Sequence, residues 1–231
     1  MADSFPGTRA TIYPSALSNP PPLKITAASG AVSRFPAERL GDADLVRAAA
    51  SGDSDAVEVI WGRYAGLVRG VLRGSLGPDH AIEDLLQETF VGFLKGAKNI
   101  QEGAALRGYL VGVAVRLAAL ELRKRKIRRW VTLTPTGVLP ERAEAPADSE
   151  ARAALTALHR VLDGVSSRRR LAFVLRHVQG LEILDVAAAL GISESTARRE
   201  LDKARSFVLK RAEREPSLRP YVARAAARAS S

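Results

Sequence analysis

Residues 179–211 read QGLEILDVAAALGISESTARRELDKARSFVLKR, and this stretch decides the fold. Gly180 closes one helix. Residues 181–190 form a short helix with apolar side chains at helical spacing, Gly191-Ile192-Ser193 make a tight turn, and residues 194–211 form a longer helix. Ala187 puts a small side chain where two helices approach closely. Gly191 supplies the positive φ that a sharp turn demands. Ser193 caps the next helix, and Glu194 sits at the positive end of its dipole. Ala197, Leu201, Ala204 and Val208 share a face and should point inward. The other face carries Glu194, Ser195, Arg198, Arg199, Asp202, Lys203 and Arg205. A helix of that kind, offered on a bend, fits the major groove of DNA. An ordinary helical hairpin with a solvated charged face has the same composition; the joint placement of alanine, glycine and serine favours a DNA-binding helix-turn-helix.

The composition of the 231-residue chain allows one or two domains with real cores. Lys and Arg number 35 against 25 Asp and Glu, a formal net charge of +10. That excess points to a polyanion, most often nucleic acid, with an unpartnered basic patch as the plain alternative. Cysteine is absent, which removes disulfides, thiolate metal sites and cysteine nucleophiles. His80, His159 and His177 show no metal-ligand spacing, so no metal or other cofactor is expected, and each reads as a helix-surface residue. No apolar run approaches the roughly 20 residues that span a bilayer. The N-terminus lacks the basic-then-apolar order of a signal peptide, so a cytoplasmic protein without membrane insertion is expected. Abundant Ala, Leu and Arg with few aromatics suit an all-α protein.

Residues 1–39 are rich in Ser, Thr, Pro and small residues, and Asn19-Pro20-Pro21-Pro22 cannot be helical, so a disordered leader is expected. Asp42 or Asp44 can cap a helix holding Leu45, Val46 and Ala49, and Gly52 ends it. A second helix begins at Asp53-Ser54-Asp55. It places Val57, Ile60, Trp61, Tyr64, Leu67, Val68, Val71 and Leu72 on one broad buried face. A turn at residues 76–79 precedes a third helix over residues 80–96. Its core candidates are Ile82, Leu85, Leu86, Phe90 and Phe93, while Glu83, Asp84, Gln87 and Glu88 lie together on its polar side. That acidic cluster is either a solvated face or a docking surface for a partner. A fourth helix, from about residue 104 to 129, begins with Leu106, Tyr109, Leu110, Val113, Val115, Leu117 and Leu120. It ends with Arg123, Lys124, Arg125, Lys126, Arg128 and Arg129. Cations suit a helix C-terminus, but this many exceed what a dipole needs, so phosphate contact competes with a solvated charge run. Residues 130–148, with four prolines and glycines among acidic and small residues, read as a flexible linker between two helical domains, 40–129 and 149–214. In the second domain, residues 149–162 form a helix with Leu155, Leu158 and Leu162 on one side. Ser166-Ser167 starts the next, with Arg168, Arg169 and Arg170 in its first turn and Leu171, Val174, Leu175 and Val178 as its core stripe. The tail, residues 215–231, should fray.

Two stretches carry a family resemblance. AIEDLLQETFV, residues 81–91, is similar to the conserved-region-2 helix of the sigma-70 family of bacterial RNA polymerase initiation factors. The helix-turn-helix resembles region 4 of the same family. Their order, with a linker between, resembles the compact two-domain extracytoplasmic-function (ECF) group over about residues 41–211. The resemblance implies a non-enzymatic subunit with two small helical domains and two chief partners, core RNA polymerase and promoter DNA. Asp84, Gln87 and Glu88 would dock on the clamp of the polymerase's largest subunit, and the flap of the second-largest subunit is a further implied contact. The fourth helix would engage the −10 element through Tyr109, Arg116, Arg123, Lys124, Arg125 and Lys126. Ser195, Thr196, Arg198, Arg199 and Lys203 would meet the −35 element. An anti-sigma factor is a further implied partner, resting on no particular residue. The family's WL..IA.N..D..RR pattern is altered: Tyr109-Leu110 replaces Trp-Leu, Arg116 stands for Asn and Leu120 for Asp. In region 4, Val165-Ser166 replaces the usual Leu-Pro, Glu182 a common Ser, and Glu200 a frequent basic residue. Base capture at −10 and the sequence read at −35 should therefore be unusual. Tyr109 and Trp130 are candidate stacking groups, with Tyr109 equally readable as core.

Two rivals follow from the residues alone. A helix-turn-helix regulator acting without polymerase would use residues 40–129 as a sensor. A nucleic-acid-processing enzyme would need a metal between acids such as Glu83, Asp84 and Glu88, but Leu85-Leu86 and the lack of a second acidic cluster argue against it.

Overall fold

Helix start signals and apolar stripes build the chain as expected through most of its length. The computed structural model describes residues 40–97, 100, 106–132 and 149–221; the expected leader, most of the expected linker and the last ten residues lie outside these. Eight helices carry the described fold: α1 (Asp42–Ala50), α2 (Ser54–Leu76), α3 (Ala81–Gly96), α4 (Leu106–Thr132), α5 (Ser149–Leu162), α6 (Ser167–Phe173), α7 (Ile183–Leu190) and α8 (Glu194–Ala212). A π-helical turn, Val174–Val178, continues α6. No strand occurs among the described residues.

In the N-terminal half, α2 starts where Asp53 accepts hydrogen bonds from the amides of Asp55 and Ala56. This is capping of otherwise unpaired first-turn donors. Its apolar face packs on α3 and α4, with Ile60, Val68, Val71 and Leu72 fully buried. Trp61 was expected inside that face. It lies at its edge instead, 37% exposed and 4.5 Å from Phe90 ring to ring. Neither Asp42 nor Asp44 caps α1; its N-cap is Gly41. The Asp42 carboxylate instead takes a hydrogen bond from Arg63 at 2.8 Å and one from the Tyr64 hydroxyl. Burial, with Asp42 as the acceptor beside it, pushes the Tyr64 hydroxyl up to about 12. Leaving the phenol neutral is the favoured state next to a carboxylate.

The two halves do not stand apart. Helices α1–α8 belong to one compact unit, and Leu171, Ala172, Leu175, Leu181, Val186 and Ala189 join the same apolar cluster as α1–α4. The physical reason is α4. From Val111 to Ala118 its apolar side chains are all buried, on every side of the helix. A helix apolar all round must be covered all round. Helices α2 and α3 cover part of it, and α7 and α6 of the second half cover more.

A smaller cluster of Ala154, Ala157, Val161, Leu162, Val174, Val208 and Ala212 binds α5 to α6 and α8. The buried face of α5 is rotated from the expected one. Leu162 is buried and Leu158 half-buried, but Leu155 is 57% exposed, and Ala154, Ala157 and Val161 take the inner positions. Val178, expected in the core stripe of α6, is likewise exposed, because the π turn rotates it out of register. The expected fraying of the tail starts too early: Leu218 is buried in the small cluster, and Arg219 donates to the Glu213 carbonyl at 3.0 Å.

Candidate docking and nucleic-acid interfaces

Three surfaces carry the residues singled out by the sequence. The first is the polar side of α3. Asp79 accepts from the Ala81 amide at 2.8 Å and so fixes where this helix begins. Ile82, Leu86, Phe90 and Phe93 then point inward, which leaves Asp84, Gln87 and Glu88 exposed together on the outer side. Glu83 is separated from that group chemically. Its carboxylate receives both Nε and Nη2 of Arg69, at 2.8 and 2.9 Å. These hydrogen bonds hold the Glu83 carboxyl below its ordinary range and raise Arg69. Glu83 ties α3 to α2, while Asp84, Gln87 and Glu88 form no hydrogen bond or ion pair among the described residues.

The second surface is the recognition hairpin. Gly191 ends α7 with φ 64°, in the left-handed region, and the Ile192 amide reaches back to the Ala187 carbonyl at 3.0 Å. Ser193 caps α8 by accepting from the Thr196 amide at 3.3 Å. Ala187, Ala197 and Ala204 are buried, as small side chains at a close helix crossing should be. Ser195, Arg198, Arg199 and Lys203 are exposed on one outer face, with Thr196 half-buried beside them. Arg198 donates to Glu194, four residues before it, and Arg199 to the Thr196 hydroxyl at 3.3 Å. Glu200 is turned away from that face. Its carboxylate binds Arg169 of α6 at 3.0 Å, so it links two helices of the same half.

The third surface is the basic end of α4, which runs three residues past its expected end and takes in Trp130; the side chains of Arg129 and Trp130 lie outside the described ones. The six candidate −10 residues divide. Arg123, Lys124 and Lys126 are exposed. Arg125 is engaged internally: it donates to the Leu76 carbonyl at 2.8 Å and to Asp79 at 2.7 Å, tying α4 to the end of α2. Arg116 is half-buried. Tyr109 is half-buried too, edge-on to Phe93 at 6.2 Å, with its hydroxyl against Gly96. Arg123, Arg125 and Lys126 line one wall of a cleft of about 670 Å³ whose other wall is residues 162–167 and Arg170.

Two residues that matter here were not singled out. Arg170 is 3% exposed, and His159, expected on a surface, is 6% exposed and lies 3.1 Å from an Arg170 nitrogen. His80 and His177 do lie outside. Partial loss of water around its ring, with Arg205 and Arg176 near, lowers the affinity of His177 for a proton.

Known proteins show the same order of parts. The Sigma-70 region 2 pattern matches residues 60–128, and the Sigma-70, region 4 pattern matches residues 155–208. The ECF RNA polymerase sigma factor SigM of Mycobacterium tuberculosis is 28% identical over 187 residues, 81% of this chain and 91% of that one. The ferric citrate uptake sigma factor FecI of Escherichia coli is 26% identical over 151 residues, 64% of this chain and 85% of that one. Among solved structures, CnrH in complex with the cytosolic domain of CnrY has a TM-score of 0.55 at 22% identity, over 72% of this chain and 94% of that one, a likeness of fold. With the acidic face of α3 inside the first match and the capped hairpin inside the second, the chain belongs to the sigma-70 family of RNA polymerase sigma factors, in its extracytoplasmic-function group.

Proposed function

We propose that this chain binds core RNA polymerase as a dissociable subunit and directs it to specific promoters. The observation that carries this is the sequential pair of family matches, each enclosing an exposed polar surface of the sign its partner requires. Asp84, Gln87 and Glu88 dock on the clamp of the largest subunit, and the C-terminal half meets the flap of the second-largest. Ser195, Thr196, Arg198, Arg199 and Lys203 address the −35 element. Arginine suits guanine edges and phosphates, and hydroxyls suit phosphates or either base. Arg123, Lys124 and Lys126 hold the phosphates of the −10 region, an electrostatic and salt-sensitive contact. Arg116 and Tyr109, both half-buried, are the least accessible of the six, and Arg125 acts by fixing the basic end to α2. The phosphoryl-transfer chemistry belongs to the polymerase. An anti-sigma factor is a further partner; the solved relatives CnrH and RpoE of Bartonella quintana, each crystallised with a protein ligand, support that reading.

The test is transcription in vitro with purified core enzyme, with start sites mapped on genomic DNA. Discrete starts that need both this protein and core are expected. Sequence-specific binding by the free protein, with no redirection of core, would instead identify a regulator that works without being a polymerase subunit.

A further inference from the structure

The cleft of about 670 Å³ lies where the basic end of α4 faces the link between α5 and α6. Its charged groups differ in what already holds them. Arg125 is engaged by the Leu76 carbonyl at 2.8 Å, by Asp79 at 2.7 Å and by Glu121 at 3.3 Å. Arg170, on the opposite wall, is engaged as fully. Its Nε donates to the Ser75 carbonyl at 2.5 Å, its Nη1 to Asp163 at 2.5 Å, and its Nη2 lies 3.1 Å from His159 Nδ1. That pairing also cancels the charge of Asp163, the lone carboxylate among the described lining residues. Arg123 and Lys126 remain. Both are exposed, and neither makes a hydrogen bond or ion pair among the described residues. Three positions apart on a helix, they share a face and repel each other. Such a pair on the wall of a cleft concentrates positive potential there. The rest of the lining includes apolar Leu122, Leu162 and Val165, and the half-buried Ser167. The two walls also share an anchor. Arg125 of α4 and Arg170 of α6 donate to the carbonyls of Leu76 and Ser75, adjacent residues in the last turn of α2, where carbonyls lack partners within the helix. The spacing of the walls is thereby set before any ligand arrives.

We propose that this cleft binds a nucleoside polyphosphate, with its phosphates on Arg123 and Lys126 and its base against Leu122, Leu162 and Val165. Size and chemistry both point there. Pre-formed small-molecule sites enclose roughly 300–1,000 Å³ and pair an apolar lining with a few placed polar groups. A bare phosphate would leave most of this cleft unfilled, and a duplex is too wide to enter it. Arginine offers phosphate oxygens a planar fork and lysine a point charge, so two cations at this spacing suit adjacent phosphates better than a single one. The Ser167 hydroxyl can donate to a further phosphate oxygen. A plain polyphosphate would gain nothing from the leucines and the valine, whereas a base buries its face on them. Arg125 and Arg170 are positioning residues, since their donors are already taken by the fold. A bound ligand would occupy the two cations that the proposed function gives to the −10 phosphates, so nucleotide and promoter compete; that consequence rests on the proposed function.

The probe is ATP, with inorganic pyrophosphate and adenosine as controls, titrated calorimetrically into the full-length protein without polymerase. ATP should bind saturably with one-to-one stoichiometry, and each control at least tenfold more weakly. Arg123→Gln with Lys126→Gln should weaken ATP by about tenfold or more. Ser167→Asp sets a carboxylate against the phosphates, and an acid suits the first turn of α6. It too should weaken ATP by about tenfold or more, without a fall in melting temperature. In a second assay, binding of a mapped promoter by the complex with core should drop severalfold on adding ATP, and should not respond to ATP in the Ser167→Asp protein. The proposal is overturned by a lack of saturable ATP binding, by either control binding as tightly as ATP, or by undiminished binding in the Ser167→Asp protein. ATP binding with promoter affinity unaltered supports the ligand site and removes Arg123 and Lys126 from the −10 contact instead.

Discussion

Helices α3 and α4 lie side by side in the same core, yet they meet their surroundings in opposite ways. Helix α3 is amphipathic. Ile82, Leu86, Phe90 and Phe93 anchor it, and Asp84, Gln87 and Glu88 stay in water. Helix α4 exposes Arg107 in its first turn, then buries every apolar side chain from Val111 to Ala118, and is exposed again only towards its C-terminal end. The first helix has a face to offer to another molecule. The second has its face taken by the other half of its own chain. An exposed polar face is open to a macromolecular partner at once, whereas a covered apolar face is open only after a conformational change.

The sharpest way to break this comparison is at α3. Reversing charge with Asp84→Lys and Glu88→Lys puts like charges across the proposed clamp contact, which costs several kcal/mol. Association with core polymerase should fall by about a hundredfold or more in a pull-down or anisotropy titration. Thermal stability should barely change, since exposed positions away from packing shift it by about 0.5 kcal/mol or less. Unchanged association would remove Asp84 and Glu88 from the docking surface. A collapse of stability would mean that α3 has no spare face, and the contrast with α4 would go with it.

How much of this was legible in the sequence follows from how local each determinant is. The recognition hairpin depends on Gly191, Ser193 and three buried alanines within a few residues of one another, so its turn, cap and inner face are written locally. The polar face of α3 follows from helical periodicity in the same way. Determinants that act across the chain were not legible. Arg170 stands in a run of three arginines that reads as a solvated first turn, but helical geometry gives each a different direction. Arg169 reaches Glu200, and Arg170 is buried where the two halves meet, with Ser75 and His159. Glu200 reads in sequence as a base-reading oddity because its partner, Arg169 on α6, stands 31 positions away. One signal for that cover lies in the sequence itself. The run from Tyr109 to Leu120 has Arg116 as its lone charged residue, and a helix that apolar needs cover on more sides than α2 and α3 can supply.

A smaller effect separates the two exposed arginines of α8. Arg198→Ala or Arg199→Ala should cost about 1–3 kcal/mol of promoter binding by the polymerase complex where the side chain makes a bidentate base contact. Promoter variants distinguish the modes: preference relaxes at one position for a base contact, whereas a uniform loss with a shallower salt dependence marks a phosphate contact. Arg198 must first leave Glu194, so Glu194→Gln should strengthen binding modestly through Arg198 and leave the Arg199 effect unaltered.

The finest probe lies where the two halves meet. Ser75 is fully buried, and its hydroxyl has no hydrogen-bond partner among the described residues, although its carbonyl accepts from Arg170. A buried hydroxyl without a partner costs roughly 1–3 kcal/mol, so the fold carries a defect placed where the two halves meet. Ser75→Ala removes the hydroxyl and leaves the carbonyl in place. Stability in urea should rise by about 1 kcal/mol, with the midpoint moving up and the slope unchanged. An unmoved midpoint would show that the hydroxyl finds a partner where it stands, and that the contact between the halves carries no such defect.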